Sequence, residues 1–491
     1  MTGGPTSPAA TTGAAGAAGS RGDAPRTILR LSPEEHVARG KAARNECPRS
    51  SHGRWSPLED RPDPIALLEE QAATRVPELV PIRYGRMMVS PFTFYRGAAL
   101  IMASDLAATP RSGLNAQICG DAHLSNFGVF ASPERRLMFD SNDFDETLPG
   151  PWEWDVKRLA ASFEIAGRDR GFAPADRRAI VAAGVAEYRI RMQQAAAARN
   201  LDVWYAHIEV ERLFEELKAG ASKKQQAKAR ANVAKARTRD RLQAFSKLTH
   251  EVDGQRRIVS DAPLIVPIED LVPPGSGRDD IEGEFRSMIR SYRSTLETDR
   301  RELLESFEYV HAARKVVGVG SVGTRAWILL LQGRDGEDPL FLQAKEAQES
   351  VLERFVGRSK YPNHGQRVVA GQRLMQAASD IFLGWQHVTG LDGQERDFYL
   401  RQLRDWKGSA DVDNMAATLL TAYSRICGAT LARAHARSGD RIAIAAYLGT
   451  SDTFDRAIAD FAHVYADQNE RDYQSLVDAV ESGRLEARTG L

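Results

Sequence analysis

Val316 to Thr324 reads VVGVGSVGT, and Gly318, Gly320 and Gly323 give it the spacing G-x-G-x-x-G. Glycines so spaced let backbone N–H groups approach phosphate oxygens with no Cβ in the way. The element directly after the glycines decides between two kinds of nucleotide site. A dinucleotide-binding turn needs a helix there. Instead the chain continues with Ala326 to Leu331 (AWILLL), a short apolar run that reads as a strand. The expected unit is therefore strand, glycine loop, strand, with Ser321 and Thr324 counted among its nucleotide-binding residues.

Strand–glycines–strand is the arrangement of a kinase glycine-rich loop. After a turn at Gly333 to Asp338 comes LFLQAKEA, in which Lys345 ends an apolar strand where a kinase carries its phosphate-pairing lysine. Taken alone, Lys345 would be an edge-strand lysine in solvent; two strands beyond a glycine loop, the functional role is preferred. The acid that should pair with it is missing. The next helical pattern, Gln366 to Trp385, contains no Glu; Glu346, Glu349 and Glu353 come early, and Gln372 or Asp380 are substitutes. Strands are expected at Lys315 to Gly318, Arg325 to Gln332, Leu340 to Lys345 and Asp397 to Leu403, making a β-rich nucleotide-binding block over residues 312–407.

A second stretch is dense in chemistry. Cys119 to Gly128 reads CGDAHLSNFG, with Asp121 and Asn126 five residues apart and His123 between them. In a phosphotransferase loop an Asp accepts the attacking hydroxyl's hydrogen bond and takes its proton, while an Asn offers oxygen to Mg²⁺. The bland reading is an Asx-rich turn satisfying its own backbone. Met138 to Glu146 (MFDSNDFDE) comes after a short hairpin, and Asp143 stands where a D-F-G aspartate would hold metal, with Asp140 the competing choice. Asp155, twelve residues past Asp143, opens a helix in WEWDVKRLAAS. Asp121 and His123 are the catalytic candidates, Asn126, Asp143 and Asp140 the metal candidates, and Asp155 the supporting residue. ATP or another nucleoside triphosphate, with Mg²⁺, is the implied cofactor.

D-x-H-x-x-N resembles the loop of aminoglycoside and choline phosphotransferases, and in that group an Asp at the separation of Asp155 braces the catalytic loop. The order, however, is rotated: the glycine loop and Lys345 come about 200 residues after Asp121 instead of preceding it. Circular permutation accounts for this and makes a demand on the C-terminal part. Asp397 to Lys407 (DFYLRQLRDWK) suits the hinge, and Tyr423 to Asp440 (YSRICGATLARAHARSGD) resembles the helix that ordinarily runs into such a loop. His435 on that helix is expected to be packed. Permutation is permitted where termini lie at exposed sites. The resulting expectation is an α+β, protein-kinase-like two-lobe fold in permuted order.

The rest of the chain sets bounds. Its 491 residues exceed one ordinary core. Residues 1–27 are rich in Gly, Ala, Thr, Ser and Pro and expected to be disordered; 28–311 form a helical large lobe, and 408–491 complete it. Pro64 to Glu78 and Phe92 to Leu106 read as helices, Gln117 to Trp154 as loop-rich, and Asp155 to about Arg314 as mainly helical. Pro263 to Asp280 reads as a connector. Ser222 to Arg241 is basic but lacks aromatic residues for stacking, so a solvated helix is preferred to a nucleic-acid patch. Lys plus Arg and Asp plus Glu are 66 each, which removes any global pull toward nucleic acid or an anionic membrane. Three scattered cysteines, no apolar run near the roughly 20 residues needed to cross a bilayer, and no secretory-signal order point to the cytoplasm.

From about Ile28 to Val480 the chain resembles the bacterial domain-of-unknown-function family 2252, through FYRGAA, CGDAHLSNFG, NDFDETLPGPWEWDVKRLAAS, VGSVGTR, DFYLRQLRDWKGSAD and YADQNERDY. That resemblance implies no reaction. Arg96, Arg325, Arg401 and Arg404 in these strings are expected to line the same cleft. The functional expectation is an ATP- and Mg-dependent phosphotransferase acting on a small molecule or a protein. The competing readings are a metal-dependent phosphoesterase, a nucleotide-binding pseudoenzyme and an AMP-transferring enzyme. The phosphoesterase needs further matched histidine motifs, whereas the ten histidines are scattered.

Overall fold

Ala326–Gln332 (AWILLLQ) alternates large apolar side chains along a strand, so both of its faces can be buried. Leu329 and Leu331 face one core with Phe285, Tyr292, Leu304, Leu340 and Leu342. Ile328 and Leu330 face another with Ala244, Leu248, Ile258 and Phe341. Pro339–Ala347 is buried at every position, the pattern of a central strand. The computed structural model describes residues 31–211, 227, 231, 233–238, 240–252, 254–272, 278–390, 392–403 and 405–491. Residues 1–27, most of Ser222 to Arg241, part of the 263–280 connector, and Arg404 lie outside the described residues.

These strands belong to a six-stranded antiparallel sheet. Its order is Gly384–Thr389, Glu395–Gln402, Pro339–Ala347, Ala326–Gln332, Glu308–Lys315, Ile265–Pro267. Helix His364–Met375 connects the Pro339–Ala347 strand to Gly384–Thr389, capped by Asn363, whose side chain accepts from Gln366 N. The sheet extends outside 312–407 at its upstream end. The strand expected at Lys315 to Gly318 instead spans Glu308–Lys315, and strands Thr249–Val252, Gln255–Ile258 and Ile265–Pro267 interrupt the region read as helical. The helix expected over Gln366 to Trp385 ends at Met375, and Gly384–Thr389 is a strand. Gly384 lets that strand press against Thr295 and Tyr292, whose atoms would lie 2.7 Å from an added Cβ.

The helical part is built around Trp152–Asp169, whose residues from Trp152 to Gly167 are all buried. Pro174–Ala197, Ala417–Ser438 and Thr453–Glu481 surround it. Pro174–Ala197 and Ala417–Ser438 cross where a Cβ on Gly428 would lie 2.1 Å from the Gly184 carbonyl, so glycine sets their separation. The region read as one helix from Phe92 to Leu106 is two, Pro91–Gly97 and Ala99–Ala107, broken at Ala98. Pro64–Ala72 stops before Glu78. The loop-rich stretch holds two antiparallel pairs, Asn115–Ile118 with Leu148–Pro151 and Phe127–Ala131 with Leu137–Ser141. The fold is α+β. No described helix is long and apolar enough to cross a membrane. Cys47, Cys119 and Cys427 are buried and free.

One buried cation in this core has a measurable consequence. Lys157 is inaccessible, its Nζ has no hydrogen-bond partner, and it sits 5.1 Å from the Phe461 ring centre. Burial lowers its pKa from 10.5 to about 7 against the pull of Glu153. The unfolded chain therefore binds this proton more tightly from about pH 7 to 10.5, and stability rises with pH across that window. Lys157→Met should stabilise the fold by on the order of 2 kcal/mol at pH 7, the gain shrinking toward pH 10 in denaturant titrations.

Candidate functional site

Asp121 is presented by a loop that the next helix holds from below. Asp155, in the first turn of Trp152–Asp169, accepts hydrogen bonds from Cys119 N at 2.7 Å and Gly120 N at 3.0 Å. His435 Nε2 lies 3.2 Å from the same carboxylate, and its Nδ1 lies 2.9 Å from the Tyr188 hydroxyl. His435 is buried and belongs to this support, not to the cavity. Gly120 adopts φ +80°, and a Cβ there would lie 2.6 Å from the Glu146 carbonyl. The loop continues directly from strand Asn115–Ile118, and Gln117 N in that strand donates to Ser438 Oγ at the end of Ala417–Ser438 (3.2 Å).

The Asp121 Oδ1 atom is gripped by Arg158 through Nη2 at 2.7 Å and Nε at 2.8 Å. Oδ2 lies 3.9 Å from His123 Nε2. Burial pushes the His123 pKa down to about 3, so the ring is neutral near pH 7, and its Nδ1 accepts from Ser125 N. Asn126 donates through Nδ2 to the Asp121 carbonyl at 2.7 Å, an orientation that keeps Oδ1 as its acceptor atom. Asp121, His123 and Asn126 all line a cavity of about 610 Å³.

The acidic stretch forms another wall. Asp143 and Asp145 line the cavity, and Asp143 Oδ1 accepts from Asp145 N at 3.2 Å. Lys345 Nζ reaches Asp145 Oδ2 at 2.6 Å, and Tyr399 OH donates to Asp145 Oδ1 at 2.6 Å. Burial and the adjacent Asp145 charge raise the pKa of Asp143. Burial opposes the charge of Asp145, but Lys345 and the Tyr399 hydroxyl outweigh it and hold its pKa below the usual range. Glu146 also lines the cavity, and burial pushes it up to about 7 although Arg367 favours its charge.

Asp140 goes elsewhere. It is buried, ion-paired with Arg433 and bonded to Ala377 N and Ser141 N, tying its strand to Ala417–Ser438. It is not a cavity residue, so of the two aspartate metal candidates only Asp143 stands at the site.

The glycine loop covers the opposite side. Gly318, Gly320, Ser321 and Thr324 line the cavity. Gly318 takes φ +65° and Gly323 φ +91°. Gly323 turns instead onto the stem of Arg75, whose Cβ would be 3.0 Å from an added Cβ. The loop is docked on the N-terminal helices: Arg86 donates to Gly318 O at 2.6 Å, Val76 N to Gly323 O at 2.8 Å, and Arg75 to Val322 O.

The partner of Lys345 is therefore Asp145, 200 residues upstream, and not an acid of the next helix. Glu346 pairs with Arg325 and Arg396, Glu353 faces Arg367 at 3.8 Å, Gln372 bonds Gln376, and Asp380 accepts Phe382 N and Gln402 N. Helix His364–Met375 contributes a cation instead. Arg367 donates to the carbonyls of Asp145, Thr147 and Gln348, fixing the acidic stretch from behind. Arg401 donates to Asn142 O at 3.1 Å and raises the local positive potential, while Arg96 lines the cavity. Asp145 belongs to MFDSNDFDE, only two positions beyond Asp143. Arg367 carries no sequence signal, and Tyr399 lies in DFYLRQLRDWK, the stretch read as a hinge, of which Arg401 and Arg404 but not Tyr399 are expected at the cleft.

Among the described residues no three His, Cys, Asp or Glu side chains are grouped to hold a metal. The oxygen donors Asn126 and Asp143 suit magnesium, which takes one or two protein carboxylates and completes its shell from phosphates and water.

Residues 75–479 match the family described as "Uncharacterized protein conserved in bacteria (DUF2252)". The chain belongs to this family. No curated protein and no solved structure matches it. Within this DUF2252 chain, the match spans the catalytic-loop candidate, the acidic stretch, the glycine loop and Lys345.

Proposed function

We propose that this DUF2252 protein is an ATP- and magnesium-dependent phosphotransferase with a circularly permuted, kinase-like arrangement of parts. The observation that carries the reading is the 2.6 Å ion pair between Lys345 and Asp145, which closes the glycine-loop sheet onto the acidic stretch around one cavity. Kinase-type sites need a phosphate-contacting lysine on the second strand beyond the glycine loop, the place of Lys345 in Pro339–Ala347, and a metal-binding aspartate on the facing wall. The contact of Ser438 with Gln117 supports the permutation: the helix expected to run into the catalytic loop ends against the strand that enters it. Pairing of Gly408–Ser409 with Gly128–Val129 supports a hinge-like passage from the sheet back to the helical part.

When bound, a magnesium nucleotide supplies the phosphoryl group. Asn126 and Asp143 would hold the metal, and the backbone of Gly318 to Gly320 would lie against phosphates. Asp121 orients an acceptor hydroxyl and takes its proton, while Arg158 fixes the carboxylate in place. Lys345 is already engaged by Asp145, so it is positioned before a nucleotide arrives. Such chemistry fits the cytoplasm, and the acceptor is a small molecule or a protein.

The test is a thermal shift. ATP with Mg²⁺ should raise the melting temperature, with little effect from either alone. Asp143→Ala should keep the fold and lose the magnesium-dependent part of the shift. If ATP with Mg²⁺ leaves the melting temperature unchanged while Mn²⁺ supports ester hydrolysis, the protein is a phosphoesterase.

A further inference from the structure

Several buried or half-buried arginines in this protein are paired with carboxylates, while the buried Arg367 serves backbone carbonyls. Arg61 holds Asp105 and Asp472, Arg158 holds Asp121, Arg189 holds Asp455, and Arg433 holds Asp140. Three arginines on the cavity wall differ. Arg83, in helix Val80–Met87, has no accessible surface; its Nη2 is bonded to Gln71 Oε1 and Gly97 O, both at 3.0 Å. Its Nε and Nη1 have no partner. Arg75 donates from Nη1 to Val322 O, and its Nε is unpartnered. The Nε of Arg96, in helix Pro91–Gly97, is unpartnered as well. Among the described residues none of the three makes an ion pair. All three line the cavity that holds Asp121.

A guanidinium keeps its charge, so burying Arg83 and half-burying Arg75 and Arg96 without counter-anions is costly unless something completes them. Burial and the charge of Arg75 push Arg83 well below its ordinary pKa, and burial lowers Arg75 to about 10. Glu146 and Glu346 reach Arg75, and Asp121 reaches Arg96, only through longer-range attraction. Planar guanidinium groups with free N–H donors match the oxygens of a phosphate or a carboxylate.

We infer that Arg75, Arg83 and Arg96 form a subsite for an anionic group, phosphate or carboxylate, carried by the acceptor and separate from the nucleotide's own phosphates. This rests on the phosphotransferase reading for the word acceptor, and the placement argues for it. Arg83 and Arg96 come from the N-terminal helices and Arg75 from the turn before them; Arg75 also donates to Val322 O, so the subsite adjoins the glycine loop while lying off the strand that carries Lys345. Arg96 is the one whose field acts on Asp121 and His123, where an acceptor hydroxyl would sit. The substrate class is thus a hydroxyl-bearing anion such as a phosphate monoester or a hydroxy acid.

The experiment uses inorganic phosphate as the probe, in thermal shifts against chloride of equal ionic strength, with and without saturating ADP and Mg²⁺. Wild-type protein should gain about 2 °C from phosphate, additively with ADP–Mg²⁺. Arg96→Met should lose the phosphate shift and keep the ADP–Mg²⁺ shift, each measured from its own ligand-free baseline. Arg83→Met, checked by circular dichroism for native helix content, should behave alike. The inference is overturned if phosphate does nothing to the wild type, if its effect survives Arg96→Met, or if saturating ADP–Mg²⁺ abolishes it. Should ADP–Mg²⁺ have no effect while the phosphate shift still depends on Arg96, the anion site stands and the nucleotide reading falls.

Discussion

Asp121→Asn should bind a magnesium nucleotide as the wild type does and transfer phosphoryl groups about a thousandfold more slowly, a barrier increase of about 4 kcal/mol. Asn is nearly isosteric with Asp and can still accept from Arg158, so the loop should hold its shape. It loses the proton acceptor. In the structure one carboxylate oxygen is taken by Arg158, and the other is 3.9 Å from a neutral His123 that cannot readily accept a charge in its buried site. Of the other cavity carboxylates, Asp145 is committed to Lys345 and Tyr399, and Glu146 accepts from Val351 N. Phosphate release from ATP, to water or to an acceptor, measures the rate, and the thermal shift measures binding. A loss below tenfold would remove Asp121 from the base role.

The parts of the site legible in the chain are those with short, local spacing. Asp121, His123 and Asn126 share one loop, and Gly318, Gly320, Ser321 and Thr324 share another; both loops reach the same cavity. The brace from Asp155 is expected from its spacing to Asp143, but the contact itself is tertiary, since Cys119 N and Gly120 N lie 36 and 35 residues upstream of the carboxylate they meet. The Lys345–Asp145 pair has no such signal. Its members are 200 residues apart, and periodicity carries no information about which charges meet across a cleft. The same holds for the N-terminal helices that dock on the glycine loop through Val76, Arg75 and Arg86.

Secondary structure departs from the local pattern for a similar reason. Glu308–Lys315 (EYVHAARK) is rich in good helix formers, yet pairing with Ala326–Gln332 makes it a strand, tertiary contacts overriding propensity. Beyond Met375 the spacing of Phe382, Leu383 and Trp385 continues a helical pattern, but Ala377 N and Gln376 are drawn to Asp140 and Ser141 O, which ends the helix. Asp140 is a metal candidate on position alone. Whether a strand-end Asp points to a cleft or into the core depends on which face the strand buries, and here Arg433 takes it inward.

Asp155→Ala should be the most damaging single change to the fold near the site, costing about 4 kcal/mol. Asp155 is almost fully buried, and its two oxygens serve Cys119 N, Gly120 N and His435 Nε2. Alanine would leave two buried N–H groups without partners and a histidine facing a void, and the helices and loop cannot close over it. Gly120 cannot relax toward Glu146 to compensate, because those backbones are already in contact. Asp155→Asn, with one amide oxygen able to accept, should lose roughly half as much. Denaturant midpoints for both variants give these values directly. Activity should fall with them, since the carboxylate holds Asp121 at the cavity wall through the backbone of the two residues before it. If Asp155→Ala unfolds with a loss below about 1 kcal/mol, the loop is held by other contacts, and the helix beneath it is not what sets the position of Asp121.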